Sequence, residues 1–173
     1  MNESQAPALP GFERIVEPFK FPAQPYQYGV HFLRECRVPQ ELHLCSTPEK
    51  AAAYWRLNIS TDPYFNPECE CFIVLMLDIK LRVKGHYLVS VGTIDVTIVQ
   101  PREVFRVAIV ASAYAIVLAH NHPSGDPTPT EDDVKVTRQL IRAGEILNIP
   151  VLEHVVIGNP QFASLRELGH ISQ

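Results

Sequence analysis

Ala115-Ile116-Val117-Leu118-Ala119-His120-Asn121-His122-Pro123-Ser124-Gly125-Asp126-Pro127-Thr128-Pro129-Thr130-Glu131-Asp132-Asp133 is the stretch on which the architecture turns. Five apolar residues in a row, too few for a helix and bounded by turn formers, read as a buried strand that ends at His120. Three prolines and a glycine follow within seven residues, Pro123 to Pro129, and make a loop. Thr130 then reads as a helix N-cap, with Glu131, Asp132 and Asp133 in the first turn, where the helix dipole favours acids. Beyond it Val136, Leu140, Ala143 and Leu147 recur at steps of four, three and four, the clearest helix in the chain, over 131–148.

Outward from this core, residues 151–158 form an apolar run that closes the sheet on the sequence reading. Upstream, Pro101 opens a helix with Phe105, Ala108 and Ile109 on one side. Ile94, Val96 and Ile98 alternate with polar residues, as a half-buried strand does. Residues 81–91 read as a strand hairpinned at Asp78-Ile79-Lys80 to Cys71-Phe72-Ile73-Val74-Leu75-Met76-Leu77, a run apolar on both faces. Ser46 or Thr47 caps a helix with Pro48 in its first turn, running through Ala51 and Trp55 to about Asn58. Residues 29–37 read as a first strand. Interleaved strands and helices imply an α/β class, a mixed β-sheet flanked by helices on both faces. Five of the fifteen prolines fall before residue 26, so residues 1–28 read as a proline-rich N-terminal arm and 29–173 as the domain. Its aromatics, Phe12, Phe19, Phe21, Tyr26 and Tyr28, suit packing on the domain or on a partner chain.

Composition narrows the function classes. The 173 residues suit one domain, and an apolar content of 46% with mean hydropathy near zero is that of a globular protein. No apolar run approaches the ~20 residues of a membrane span. Met1-Asn2-Glu3-Ser4-Gln5 does not begin a secretory signal, so a cytoplasmic location is expected, with Cys36, Cys45, Cys69 and Cys71 reduced. The cysteine spacing matches neither a zinc finger nor a thioredoxin motif, and buried small apolar residues are the simpler expectation. A net charge of −4 argues against a large nucleic-acid surface. Lys80, Arg82 and Lys84 read as a solvated strand face.

The chemistry lies at 120–133. Side chains at i and i+2 share a face only on an extended chain, where their Cβ atoms stand roughly 6–7 Å apart. Two imidazoles can close that gap onto one ion at Zn–N of about 2.0 Å. Asp133, on the first helical turn, can face back toward them, and two neutral imidazoles with one carboxylate make the three-ligand, open pattern of catalytic zinc. Thr130-x-x-Asp133 is equally a capping-box pattern, and Asp132 could serve either role. Spacing leaves ligand and cap both open.

His-x-His, seven residues, Thr, two residues, Asp resembles the JAMM (JAB/MPN) metalloprotease motif, in which a serine stands where this chain has Thr130. His120-Asn121-His122-Pro123-Ser124-Gly125-Asp126-Pro127-Thr128-Pro129 resembles its RadC-like branch in particular. The likeness runs from about Ser46 to the C-terminus, taking in Pro101-Arg102-Glu103 and Ser164-Leu165-Arg166-Glu167, about three quarters of the 173 residues. It implies a JAB/MPN-like fold with His120, His122 and Asp133 as ligands of Zn2+. It places Thr130 where the family serine assists the oxyanion, with a methyl group added. It also implies a glutamate base before the first buried strand, a position Glu70 matches, with Glu68 and Glu103 as rivals. The activity implied is zinc-dependent hydrolysis of a peptide or isopeptide bond in a peptide or protein substrate. Alternatives are a non-catalytic MPN-fold interaction module, or a DNA-repair-associated role of the RadC type. For the latter, the charge is unfavourable and residues 1–28 are not expected to form the helix-hairpin-helix region that often precedes the domain in that branch.

Other residues carry weaker signals. Ser124 and Asp126 read as turn-capping residues. His154 reads as a core histidine or as a support for the ligands, and His31, His43, His86 and His170 carry no spacing signal. Zinc deaminases need His-x-Glu with Pro-Cys-x-x-Cys, and serine hydrolases a Gly-x-Ser-x-Gly elbow; neither occurs.

Overall fold

The computed structural model describes residues 35–36, 38–63, 65–92 and 99–171. The proline-rich arm and the strand expected at 94–98 lie outside the described residues. Of the strand expected at 29–37, only Glu35 and Cys36 are described, and neither is in a strand.

The elements are α1 (Pro48–Asn58), β1 (Cys71–Leu77), β2 (Val83–Val91), α2 (Pro101–Val110), β3 (Ala115–Asn121), α3 (Glu131–Leu147), β4 (Val151–Ile157) and β5 (Phe162–Ser164). One mixed sheet runs in the order β2-β1-β3-β4-β5. β3 and β4 are parallel, and the other neighbouring pairs are antiparallel. β1 and β3 sit at the centre and are buried along their whole length, which is why both read as unbroken apolar runs. Alternate residues feed two cores. On one face Phe72, Leu118 and Val156 pack with Phe105 of α2 and Leu140 of α3. On the other, Ile73, Val117 and Val155 pack with Tyr54 and Trp55 of α1. Each such side chain, fully buried, contributes about 1.5–3 kcal/mol.

Local signals set the element ends. Pro48 and Pro101 occupy first helical turns, where a missing N–H costs nothing. Asn148 stops α3 in the left-handed region (φ 54°), which asparagine tolerates. Asp78 closes the β1–β2 hairpin by accepting from the Lys80 and Arg82 backbones and pairing with the Arg82 guanidinium. Of the three cations expected on one strand face only Lys84 lies in β2, where it donates to the Ser112 carbonyl; Lys80 is in the turn and Arg82 just before the strand. The described cysteines are all free thiols, and Cys45 and Cys71 are buried as expected. Among the described residues no helix is long and apolar enough to cross a membrane.

One expectation needs correction: β4 does not close the sheet. β5 pairs antiparallel outside it, a three-residue strand too short to leave a periodic pattern. Buried Glu153 fastens that edge. One carboxylate oxygen accepts from the backbone N–H groups of His154 (2.8 Å) and Arg166 (3.3 Å), and the other accepts from the Ser164 hydroxyl at 2.8 Å. Burial pushes its pKa above the ordinary 4.5, against the pull of those hydrogen bonds. The folded protein therefore holds this proton more tightly than the unfolded chain. The resulting stabilisation is full below about pH 4.5 and is lost as pH rises through the folded value. Wild type minus Glu153→Gln stability, from urea unfolding at several pH values, is expected to rise on acidification through that window. A difference independent of pH would refute it.

Candidate metal centre

Three chain segments meet at one end of the sheet. In the antiparallel β1–β3 register Phe72 faces His120, so the same count carried two residues outward sets Glu70 across from His122. The ladder to β4 continues past β3, with the His122 N–H donating to the Ile157 carbonyl at 2.9 Å. The backbone is thus extended through both histidines, and their side chains share the face that α3 covers. Asp133, in the first turn of α3, is buried and points back toward them.

The donor atoms converge. His120 Nε2 lies 3.1 Å from His122 Nε2 and 3.2 Å from Asp133 Oδ1, and His122 Nε2 lies 3.4 Å from Asp133 Oδ2. Three ligand atoms on a tetrahedron with bonds of about 2.0–2.1 Å stand about 3.3–3.4 Å apart, so two ring nitrogens with one Asp133 oxygen toward each are close to the spacing that one small cation needs. Glu70 Oε1 stands further back, 3.7 Å from His120 Nε2 and 3.9 Å from His122 Nε2. All four residues offer a ligand atom within 4.8 Å of the others and could hold a metal ion. The histidine on the strand is fully enclosed, whereas His122 and Glu70 retain 13% and 16% side-chain exposure, so the site opens to solvent on their side.

Electrostatics suit a cation. Burial alone would raise the Asp133 carboxyl, but hydrogen bonds that the His120 and His122 rings donate in their protonated form outweigh it and hold the group well below the usual carboxylate range. Hydrogen bonding to Asp133 raises His122 above its ordinary value, against the effect of burial. His122 Nδ1 lies 2.8 Å from the Asp126 carbonyl, which can only accept; the ring therefore carries Nδ1–H, and its neutral form presents a bare Nε2 lone pair inward.

Capping does not take Asp133 out of the cluster. Its Oδ2 accepts from the Thr130 N–H and hydroxyl, both at 2.7 Å, and Thr130 Oγ1 accepts in return from the Asp133 N–H. This is a full capping box, yet Oδ1 still faces His120. The single hydroxyl proton of Thr130 is engaged in holding the Asp133 carboxylate. Asp132 instead pairs with Lys135 in solvent. Glu68 is exposed, and Glu103 pairs with Arg102 and Arg106 on α2, so Glu70 is the acid that joins the cluster. Ser124 and Asp126 cap the loop, as expected.

Asn121, between the two histidines, carried no functional reading in the sequence. Its side chain points to the other sheet face, accepting from the Cys71 N–H (2.9 Å) and donating to the Cys69 carbonyl (3.1 Å). It thereby holds the backbone on both sides of Glu70. A polar residue inside a buried strand was the available signal. Phe72 stacks nearly parallel to His120 (7° between planes) and meets His154 edge-on, backing the site with a rigid aromatic wall.

The loop behind His122 is closely seated. A Cβ at Gly158 would run into the Gly125 carbonyl oxygen and come within 2.8 Å of Pro127 Cδ. Gly158→Ala is expected to cost about 1–3 kcal/mol and to displace the loop that carries the Asp126 carbonyl. Denaturant unfolding equal to wild type would show that the loop yields freely.

Comparison with known proteins agrees with this geometry. Residues 45–170 match the family model of the RadC-like JAB domain. The chain is 50% identical over 101 residues to a UPF0758 protein of Caldanaerobacter subterraneus subsp. tengcongensis, covering 58% of this chain and 43% of that protein. It is 38% identical over 130 residues to one of Thermosynechococcus vestitus, covering 75% and 50%. To one of Methanococcoides burtonii it is 45% identical over 103 residues, covering 60% and 45%. The chain thus spans about half the length of the curated relatives it matches. With the mixed sheet, the flanking helices and the Glu-His-His-Asp cluster in place, the chain belongs to the RadC-like JAB domain family.

Proposed function

We propose that this domain is a zinc-dependent metallohydrolase of the JAMM type that cleaves a peptide or isopeptide bond. His120, His122 and Asp133 would hold the ion, and nitrogen and oxygen donors in this ratio suit zinc. When bound, Zn2+ supplies Lewis acidity, polarising a carbonyl oxygen and lowering the pKa of a coordinated water to about 7. Glu70 accepts the proton of the attacking water and returns it to the leaving amine nitrogen, so that one carboxylate serves both half-steps. Asn121 keeps Glu70 at that post, and Thr130 orients Asp133. A direct part for Thr130 in stabilising the oxyanion requires its hydroxyl to turn away from Asp133. The substrate enters from the His122 and Glu70 side and is a peptide or protein.

One observation carries this reading. Two ring nitrogens and the Asp133 carboxylate stand 3.1–3.4 Å from one another, while the second acid, Glu70, stands back on the open side. A non-catalytic module would have no need of such a set.

Protein reconstituted with zinc and dialysed is expected to retain about one equivalent, by elemental analysis, and to cleave members of a peptide and isopeptide-linked library. His122→Ala is expected to lose both. Failure of the wild type to retain metal, or retention by the variant, would overturn the proposal.

A further inference from the structure

Behind the candidate ligands lies a buried chain of hydrogen bonds whose direction is dictated by its far end. Thr137 Oγ1 lies 2.6 Å from the Asp133 carbonyl oxygen and 2.6 Å from His154 Nδ1. A hydroxyl has one proton and a carbonyl can only accept, so that proton goes to Asp133. Thr137 must then accept from His154, which carries Nδ1–H and leaves its Nε2 as a lone pair. His154 Nε2 is 2.8 Å from His120 Nδ1, so His120 donates there and carries Nδ1–H as well. Its Nε2 is thereby bare in the neutral ring and faces His122 and Asp133.

Packing makes this chain hold. Thr137 and His154 are fully enclosed, out of reach of bulk solvent. Phe72 meets the His154 ring edge-on and fixes its plane. Thr137 sits one helical turn after Asp133, so the residue that sets the tautomer and the residue that supplies the carboxylate are carried on one face of α3, on successive turns.

We propose that Thr137 and His154 are positioning residues that lock His120 in the Nδ1–H tautomer and so present its Nε2 to the metal. The inference rests on the metal-site reading above for its consequence, but the tautomer itself can be read without metal. The acceptor is unusual: ligand histidines commonly donate to a carboxylate, a backbone carbonyl or water, whereas here a second imidazole, itself oriented by a threonine, takes that place. Without the Thr137 hydroxyl, His154 is free to adopt the Nε2–H tautomer and donate to His120. That would push the His120 proton onto Nε2, where it blocks the ligand lone pair.

The test uses the whole chain with imidazole nitrogens labelled. Long-range nitrogen–proton spectra of metal-free wild type are expected to show His154 as the Nδ1–H tautomer. Thr137→Val, which removes the hydroxyl and little volume, is expected to move His154 toward Nε2–H and to weaken zinc affinity about 10–100-fold in a competition titration. Thr137→Ser is expected to restore both. His154→Gln, whose side-chain oxygen can still accept from His120, should retain most of the affinity that His154→Leu loses, which keeps a readout should Thr137→Val fail to fold. Wild-type His154 in the Nε2–H form overturns the inference, as does unchanged affinity in Thr137→Val. If wild type binds no zinc while His154 shows Nδ1–H, the tautomer lock stands and the metal-site reading falls.

Discussion

Glu70→Gln is expected to reduce peptide-bond cleavage by about 10²–10⁴-fold, the usual contribution of a positioned general base. Metal content should stay at the wild-type level. Glutamine keeps the shape of the side chain and its hydrogen-bonding oxygen, so the strand entry held by Asn121 is undisturbed. What it loses is the ability to take a proton. The two readouts separate the roles open to this residue. Activity lost with metal retained identifies a base. Activity lost together with metal identifies a fourth ligand, which the 3.7 and 3.9 Å separations from the histidine nitrogens argue against. Full activity in the variant would move the base elsewhere and remove Glu70 from the mechanism.

Asp133→Ala carries the second large effect, because the residue caps α3 and, in the proposed function, also holds the metal. Loss of a supporting residue around a metal site costs about 10–100-fold in affinity, so loss of a direct ligand should exceed about 100-fold. The same change removes the acceptor for the Thr130 N–H and hydroxyl and undoes the cap of α3. A lost cap costs about 0.5–2 kcal/mol, and this part appears in the metal-free protein. Zinc competition and urea unfolding of the metal-free form therefore report the two jobs independently. A variant destabilised in this way but with unaltered zinc affinity would reduce Asp133 to a capping residue.

That double use explains why spacing could not choose between cap and ligand. A first-turn aspartate is favoured by the helix dipole whatever else it does, and the pattern Thr130-x-x-Asp133 is the same in either case. Only the folded arrangement distinguishes the two carboxylate oxygens, one turned to Thr130 and the other to His120. Thr137 and His154 show the same limit. Each is an ordinary residue for its element, and their significance lies in a contact across 17 positions of sequence. Asn121 likewise reads as a spacer between histidines until the β1–β3 register places it beside Cys69 and Cys71.

Local pattern in the chain was enough for the class of fold, the central strands, the three helices and the pair of histidines in a cluster that could hold a metal ion. It was enough because burial on both sides of a strand, helical periodicity and proline at a helix start are local consequences of side-chain chemistry. Tertiary structure alone decided which acid meets the histidines, which proton sits on which ring, and that a three-residue strand closes the sheet. Those depend on register and on the direction of hydrogen bonds between segments far apart in the chain, and no local pattern encodes either.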